Sequence, residues 1–436
     1  MQIDKTTLYD LAILSREEEH SIFHQLNFTQ TNEGKDILKQ ILTSPLESIE
    51  AIVDTQNTIQ YLISIHHQIP KTITNGTLMV IEKFYLTALD AYPSPAKKAN
   101  TIIYKYISKP DFFLTKYSVE HFLDFINGLE EIKNLLQNSS SKKAKNWVAI
   151  ISKIFEKEIF QKILLENKSS ITDQSVLKYA TYFKNDFKYQ CQELIDVYSN
   201  IDAYLSLAKA TDQFNFHFPD FIESEEPLIH ASALYHPLLE HPVGYKFDLD
   251  LENNFLFLTG ANMAGKSTFI KAIGIAVYLA HVGMSVPAKS LTLSYFNGLL
   301  SNIQIVDNVL KNESFFYNEV QRIKNTVLKV NDQKKWLILI DELFKGTNIH
   351  DAMKCSVTVI DGLQKRRNGL YILSTHLYEI GEQVAHYNNI QFKYFETAIV
   401  NNEMEFSFQL KDGISDDRLG YMILEKEGVV ELLKKC

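Results

Sequence analysis

The chain has 436 residues, enough for two or three domains that each bury a core. With 45% hydrophobic and 22% charged residues it has ordinary globular composition, and its net charge of −9 argues against coating nucleic acid by bulk charge, though a local basic face stays open. Three cysteines, Cys191, Cys355 and Cys436, stand outside any CxxC spacing, which argues against a disulfide framework or a cysteine zinc site and fits a reducing cytoplasm.

The opening MQIDKTTLYD is charged and has no apolar h-region of a secretory signal. Residues 1 to about 225 read as helices. SVEHFLDFINGLEEIKNLL and VLKYATYFKNDFKYQCQELIDVYSNIDAYLSLAKA repeat apolar residues at three- and four-residue spacing over long stretches. The polar run NSSSKKAKN (138–146) reads as an exposed helix-to-helix loop, and the many Phe and Tyr residues, at helical spacing, read mostly as core. Near Phe218-Pro219 the composition changes. From there FLFLT (255–259), WLILI (336–340) and LYILST (370–375) are continuous apolar runs of strand length, as in a parallel sheet covered on both faces. The stretch from Ile273 to Val286 is interrupted by His281 and is too short to span a bilayer, so it reads as a buried core helix and no membrane role is expected.

Between the first of those strands and that helix lies GANMAGKST, a complete GxxxxGK[ST] phosphate loop. Glycines let the backbone wrap closely and turn N–H groups and a helix N-terminus towards phosphate. The loop makes Gly260, Ala261, Asn262, Met263, Ala264, Gly265, Lys266, Ser267 and Thr268 the ATP-binding candidates. Lys266 would reach the β- and γ-phosphates and Ser267 would ligate Mg²⁺. WLILI runs into Asp341 and Glu342, the first a metal ligand and the second placed to polarise the attacking water. His376, in STH at the end of the third strand, reads as a partner of the γ-phosphate or the water. The residues point to an ATPase that needs ATP and Mg²⁺.

Those same segments carry a resemblance. GANMAGKST with the following FIKAIGIAVYLAHVGMSVPA is similar to the ATPase domain of the MutS DNA mismatch-repair family, whose loop reads Asn-Met-x-Gly-Lys-Ser-Thr before a helix ending in Val-Pro-Ala. DELFKGTNIHD, STHLYEI, ALYHPLL and the tail LKDGISDDRLGYMILEKEGV resemble further segments of that domain. LNFTQTNEGKDILKQILTSPLESIEAIVDTQNTIQYL resembles the start of the family's helical core, and IDAYLSLAKATDQFNFHFPDF the helix returning to the ATPase.

The resemblance implies an all-α core and lever domain over 1–225, then an α/β P-loop NTPase domain (ABC-type, mostly parallel sheet) over 226–436. It implies a composite ATP site in a homodimer, with a serine of VDNVLKNESFFYNEV (306–320) reaching the partner's γ-phosphate. Ser314 takes that position and Glu319 matches a family glutamate; Asn312 stands where the family has Gly, and Glu313 puts a negative charge beside the serine. It further implies DNA as a partner and DNA repair, with a repair protein as another partner, in the cytoplasm. The mismatch-reading and connector domains of longer members find no counterpart here, nor does the DNA clamp between about 100 and 225. Two functions therefore stay open: a MutS-like ATPase working on mismatched or branched DNA, and an ATP-dependent conformational or assembly module acting on a protein partner. A nucleotide-binding pseudoenzyme is the third reading, against which Lys266, Ser267, Asp341, Glu342 and His376 all stand.

Overall fold

A computed structural model describes residues 1–87, 92, 98–166, 168–303, 315–400, 403–415 and 429–434. The chain divides into two compact units. One takes Leu26–Leu42 and Val53–Gln213; the other takes Met1–Gln25, Thr43–Ile52 and Phe214–Cys436. The first 25 residues, read from sequence as part of the helical domain, thus group with the later half of the chain. No helix among the described residues is long and apolar enough to cross a membrane.

Two short helices come first, α1 (Lys5–Asp10) and α2 (Ile22–Leu26). The helical unit follows with α3 (Asn32–Thr43), α4 (Ile49–Ile65), α5 (Asn75–Leu86), α6 (Lys98–Ile107), α7 (Lys109–Leu136), α8 (Lys142–Phe155), α9 (Glu158–Ile163), α10 (Asp173–Asp186) and α11 (Lys188–Phe214). Their core is aromatic: Phe122 stacks on Phe183 at 4.3 Å between ring centres, and Phe155 on Phe160 at 5.1 Å. The buried carboxylate of Asp202 on α11 accepts from the backbone N–H groups of Gln30 and Thr31 and from the Thr31 hydroxyl, tying down the entry to α3. A carboxylate taken out of water needs such donors, and three converge on it.

One expectation for this unit changes. NSSSKKAKN is a loop only in its first half, because its three lysines sit in the first turn of α8. Ser141 caps that helix by accepting from Ala144 N–H at 3.0 Å, while Asp54 accepts from Lys142 N–H at 2.6 Å, so two oxygens satisfy donors the helix leaves open. The aromatics are mostly core, as expected, with a group of exceptions. On α6 and the first half of α7, Tyr106 (80% exposed), Phe113 and Tyr117 point to solvent beside Ile102, Ile103 and Ile107.

The second unit holds two sheets. The first strands are β1 (Asp220–Ile222), β2 (Ile229–Leu234), β3 (Tyr245–Leu249) and β4 (Phe255–Thr259), followed by α12 (Lys266–Val282), β5 (Ser290–Ser294) and β6 (Gly298–Asn302). Then come α13 (Phe315–Lys329), β7 (Trp336–Asp341), α14 (Ile349–Gln364), β8 (Gly369–Ser374), α15 (Tyr378–Val384), β9 (Ile390–Val400), β10 (Glu403–Asp412) and α16 (Val429–Lys434). The larger sheet has the order β10-β9-β4-β8-β7-β6, parallel except for β10; the smaller has the order β1-β5-β2-β3. Every residue of β4, β7 and β8 is buried, which is why these strands read as unbroken apolar runs. Helix α12 is buried almost throughout, and Gly274 on it lets Leu11 and Leu339 approach where a Cβ would sit 2.5 and 2.6 Å from their methyls.

The N-terminal segment belongs to this unit through specific contacts. Gln2 makes a parallel bridge with Gly298, extending the larger sheet past β6. Asp10, 2% exposed, accepts through Oδ2 from Ser301 Oγ at 2.6 Å, Ile303 N–H at 3.1 Å and Arg322 Nη2 at 2.9 Å.

Candidate nucleotide site

The phosphate loop leaves the end of β4, at the centre of the larger sheet, and feeds α12. Gly260 (φ +134°) and Gly265 (φ +109°) both lie in the region that favours glycine, and a Cβ on Gly260 would stand 3.2 Å from the Phe395 carbonyl. Met263 also has a positive φ, 70°, and its side chain is 77% exposed. The turn brings the Lys266 ammonium back onto its own loop, where it donates to the carbonyls of Gly260 at 2.7 Å and Ala261 at 2.9 Å. Burial pulls the Lys266 pKa down, while Glu342 and Asp341 hold its charge in place.

Asp341 closes β7 beside this loop. Its Oδ2 accepts from the Ser267 hydroxyl at 2.5 Å, and its Oδ1 accepts from the Ser374 hydroxyl at the end of β8. These are hard oxygen donors, and among the described residues no group of three or more His, Cys, Asp or Glu could hold a metal alone. Such a pair fits Mg²⁺, which takes few protein ligands and completes its shell with phosphate oxygens and water.

Glu342 adopts φ +62°, unusual for a residue with a side chain, and its N–H donates to the Ser374 carbonyl at 2.9 Å. Its carboxylate meets Lys345 Nζ at 2.9 Å through one oxygen and His376 Nδ1 at 3.3 Å through the other. Burial of the carboxyl favours its neutral form, but hydrogen bonds from His376 and Lys345 outweigh it and hold the pKa at about 2. Glu342 is therefore a carboxylate at neutral pH, suited to accept a hydrogen bond from water. His376 is half exposed, with a ring edge left towards solvent.

A cavity of about 400 Å³ opens over the loop. Asn262, Met263 and Glu342 line it together with Leu239, Tyr245 and Phe408, which bring apolar and aromatic surface. Phe408 gets there because the register of β10 against β9 shifts between Phe406 and Leu410, with Phe408 at φ +51°. Its ring lies 3.4 Å from where a Gly265 Cβ would be.

The structure thus gathers Gly260 to Ser267, Asp341, Glu342 and His376 around one sheet edge. Ser314, with Asn312 and Glu313, lies outside the described residues. Sequence reasoning missed Ser374, Lys345 and Phe408. Ser374 stands two residues before His376 and directly opposite Asp341 in the β7–β8 register, and Lys345 follows Glu342 by three, so both lay within segments already singled out.

Residues 256–433 match the model of MutS domain V, and residues 6–312 match that of MutS domain III. The chain is similar to the DNA mismatch repair protein MutS of Listeria monocytogenes serotype 4a, 27% identical over 273 residues that cover 61% of this chain and 31% of that protein. It is 30% identical over 244 residues to the MutS of Pseudothermotoga lettingae (55% of this chain, 29% of that protein), and 31% identical over 291 residues to the DNA mismatch repair protein MSH3 of Candida glabrata (62% and 27%). The chain spans about three tenths of the length of these relatives. With a phosphate loop, a paired Asp341-Glu342 and two family models that together run from residue 6 to 433, the chain belongs to the MutS family.

Proposed function

We propose that the chain is a Mg²⁺-dependent ATPase that serves DNA repair, acting on mismatched or branched DNA. The observation that carries this reading is the convergence of Lys266, Ser267, Asp341, Glu342 and His376 on one edge of the sheet. Lys266 exchanges its two loop carbonyls for β- and γ-phosphate oxygens, and N–H groups at the start of α12 hold the rest of the chain of phosphates. Ser267 and Asp341 hold the metal, with Ser374 fixing the carboxylate; Mg²⁺ bound there would draw charge from the phosphates. Glu342, ionised and held by Lys345, orients the attacking water, and His376 hydrogen-bonds the γ-phosphate or that water. Leu239, Tyr245 and Phe408 offer the adenine an apolar bed.

The same reading makes the protein a homodimer with composite sites, Ser314 reaching across, and ATP-driven closure moving the helical arms. It also keeps a repair protein as a second partner and the cytoplasm as its place of action. DNA enters through family membership. Turnover and gel shift measured on mismatched, branched and perfectly paired DNA test this. Glu342→Gln should lower turnover by at least ~100-fold, and no binding or stimulation by any of the three DNAs would sink the DNA part.

A second reading, an ATP-driven module acting on a protein, is favoured by one feature: the apolar face of α6, where Ile102, Ile103, Tyr106 and Ile107 are all more than half exposed. ATPase activity stimulated by a co-purifying protein and indifferent to DNA would select it.

A further inference from the structure

Helix α13 carries a buried carboxylate that the hydrolytic scheme above does not use. Glu319 is 2% exposed, and its two oxygens accept from the backbone N–H groups of Lys345 at 3.3 Å and Gly346 at 3.4 Å. Those amides belong to the turn that leaves Glu342 and leads to Asn348, the residue capping α14. The turn needs holding, because Glu342 (φ +62°) and Phe344 (φ +61°) both adopt a left-handed backbone with full side chains. A second contact from α13 helps: Phe316 lies 5.7 Å from the buried ring of Phe344.

The helix is itself anchored. One turn after Glu319, Arg322 donates to Asp10 Oδ2 and to the Ser301 carbonyl. The Glu319 carboxylate is thereby a fixed point, and the turn 344–346 is pinned to it by two donors from adjacent residues. Within that pinned turn Lys345 extends its ammonium to the Glu342 carboxylate, 2.9 Å away.

We infer that Glu319 is a positioning residue for Glu342: by holding the 344–346 turn it sets the place from which Lys345 orients the Glu342 carboxylate. Glu319 touches no reacting atom in this scheme; it acts through the Lys345 contact. The inference rests on the ATPase reading for its kinetic consequence, but not for the contact itself.

The test uses the full chain and three measurements. Glu319→Gln keeps size while turning one acceptor into an N–H₂ donor that opposes an amide. It should lower kcat for ATP by ~10-fold and leave KM within ~2-fold, since the phosphate loop is untouched. In a Lys345→Met background the same substitution should add less than ~2-fold, because the route it disturbs is already cut. Independently of turnover, Lys345 acylation by an N-hydroxysuccinimide ester, read by peptide mass, should speed up in Glu319→Gln towards the rate in Glu342→Gln. Unchanged labelling of Lys345, or kinetic losses that add in the double variant, overturns the inference. Absence of ATP turnover in the unmodified protein sinks the ATPase reading instead, and the labelling still decides whether Glu319 holds Lys345. Should Glu319→Gln fail to fold, Glu319→Asp, which keeps the charge but falls short of both amides, takes its place in all three.

Discussion

Ser374 and Asp341 face each other as register partners across β8 and β7, and the Ser374 hydroxyl donates to the carboxylate oxygen that Ser267 leaves free. One strand end thus orients the acid on its neighbour. Groups that orient a metal ligand are worth roughly 10- to 100-fold in metal affinity. Ser374→Ala should therefore raise the Mg²⁺ concentration for half-maximal ATP turnover by ~10-fold. A Mg²⁺ titration with an unchanged midpoint would remove Ser374 from this role.

Phe408 covers the phosphate loop from β10, and its exposed ring face looks into the cavity. Replacing it by Ala removes aromatic surface that lines the cavity and could face a purine. ATP should then bind ~10-fold more weakly, about 1.4 kcal/mol, while inorganic triphosphate, which has no base, should bind as before. Equal losses for both ligands in calorimetry would show that Phe408 shapes the loop and not the base site.

His281 gives the folding stability a pH dependence of known sign. Its ring is fully buried; Nε2 accepts from Phe296 N–H at 2.9 Å, and Nδ1 donates to the Val277 carbonyl at 2.7 Å. Burial pushes its pKa from 6.5 to about 3, against the pull of the Val277 carbonyl. The folded protein keeps the ring neutral where the unfolded chain takes a proton. Stability from this group is complete above about pH 6.5 and is lost as pH falls towards about 3. Denaturant melts between pH 7.5 and 4.5 should show this loss, and His281→Gln should flatten the curve over the same window.

Gly298 on β6 faces the ring of Trp336 on β7, so close that a Cβ would lie 2.0 Å from Cζ3. The ring cannot swing away: it is 1% exposed, and its Nε1–H donates to Asp332 at 2.8 Å. Gly298→Ala should cost about 1–3 kcal/mol of stability by overpacking. A gain in the midpoint of urea unfolding would contradict the packing described for this sheet edge.

What the sequence made legible follows from where each constraint resides. Gly260, Gly265 and Lys266 answer demands made by a few neighbouring backbone units, so their spacing alone marks the loop. Asp341 and Glu342 were legible because a strand buried on both faces must be apolar until it ends. Ser374 and Asp10 were not, and Glu319 was marked only by its match to a family glutamate, with no role attached. Each acquires its meaning from a partner 26 to 312 residues away, through a strand register or a helix placement that periodicity does not encode. The same reasoning explains the chain's first segment. LYDLAIL resembles any short helix, and only Arg322, Ser301 and Gly274 show what it packs on. For the lysines of NSSSKKAKN, the deciding groups were Ser141 and the distant Asp54, which converted an apparent loop into the start of a helix.

The pairing of Asp10 with Arg322, separated by 312 residues, has a consequence for how the chain is made. Met1–Gln25 is synthesised before the elements that receive it, α12, β6 and α13, the first of which begins only at Lys266. The helical unit, complete by Gln213, can collapse on its own contacts in the meantime. This early segment must wait, its aspartate solvated and its leucines uncovered, until the unit that holds β6 and α13 emerges and covers it.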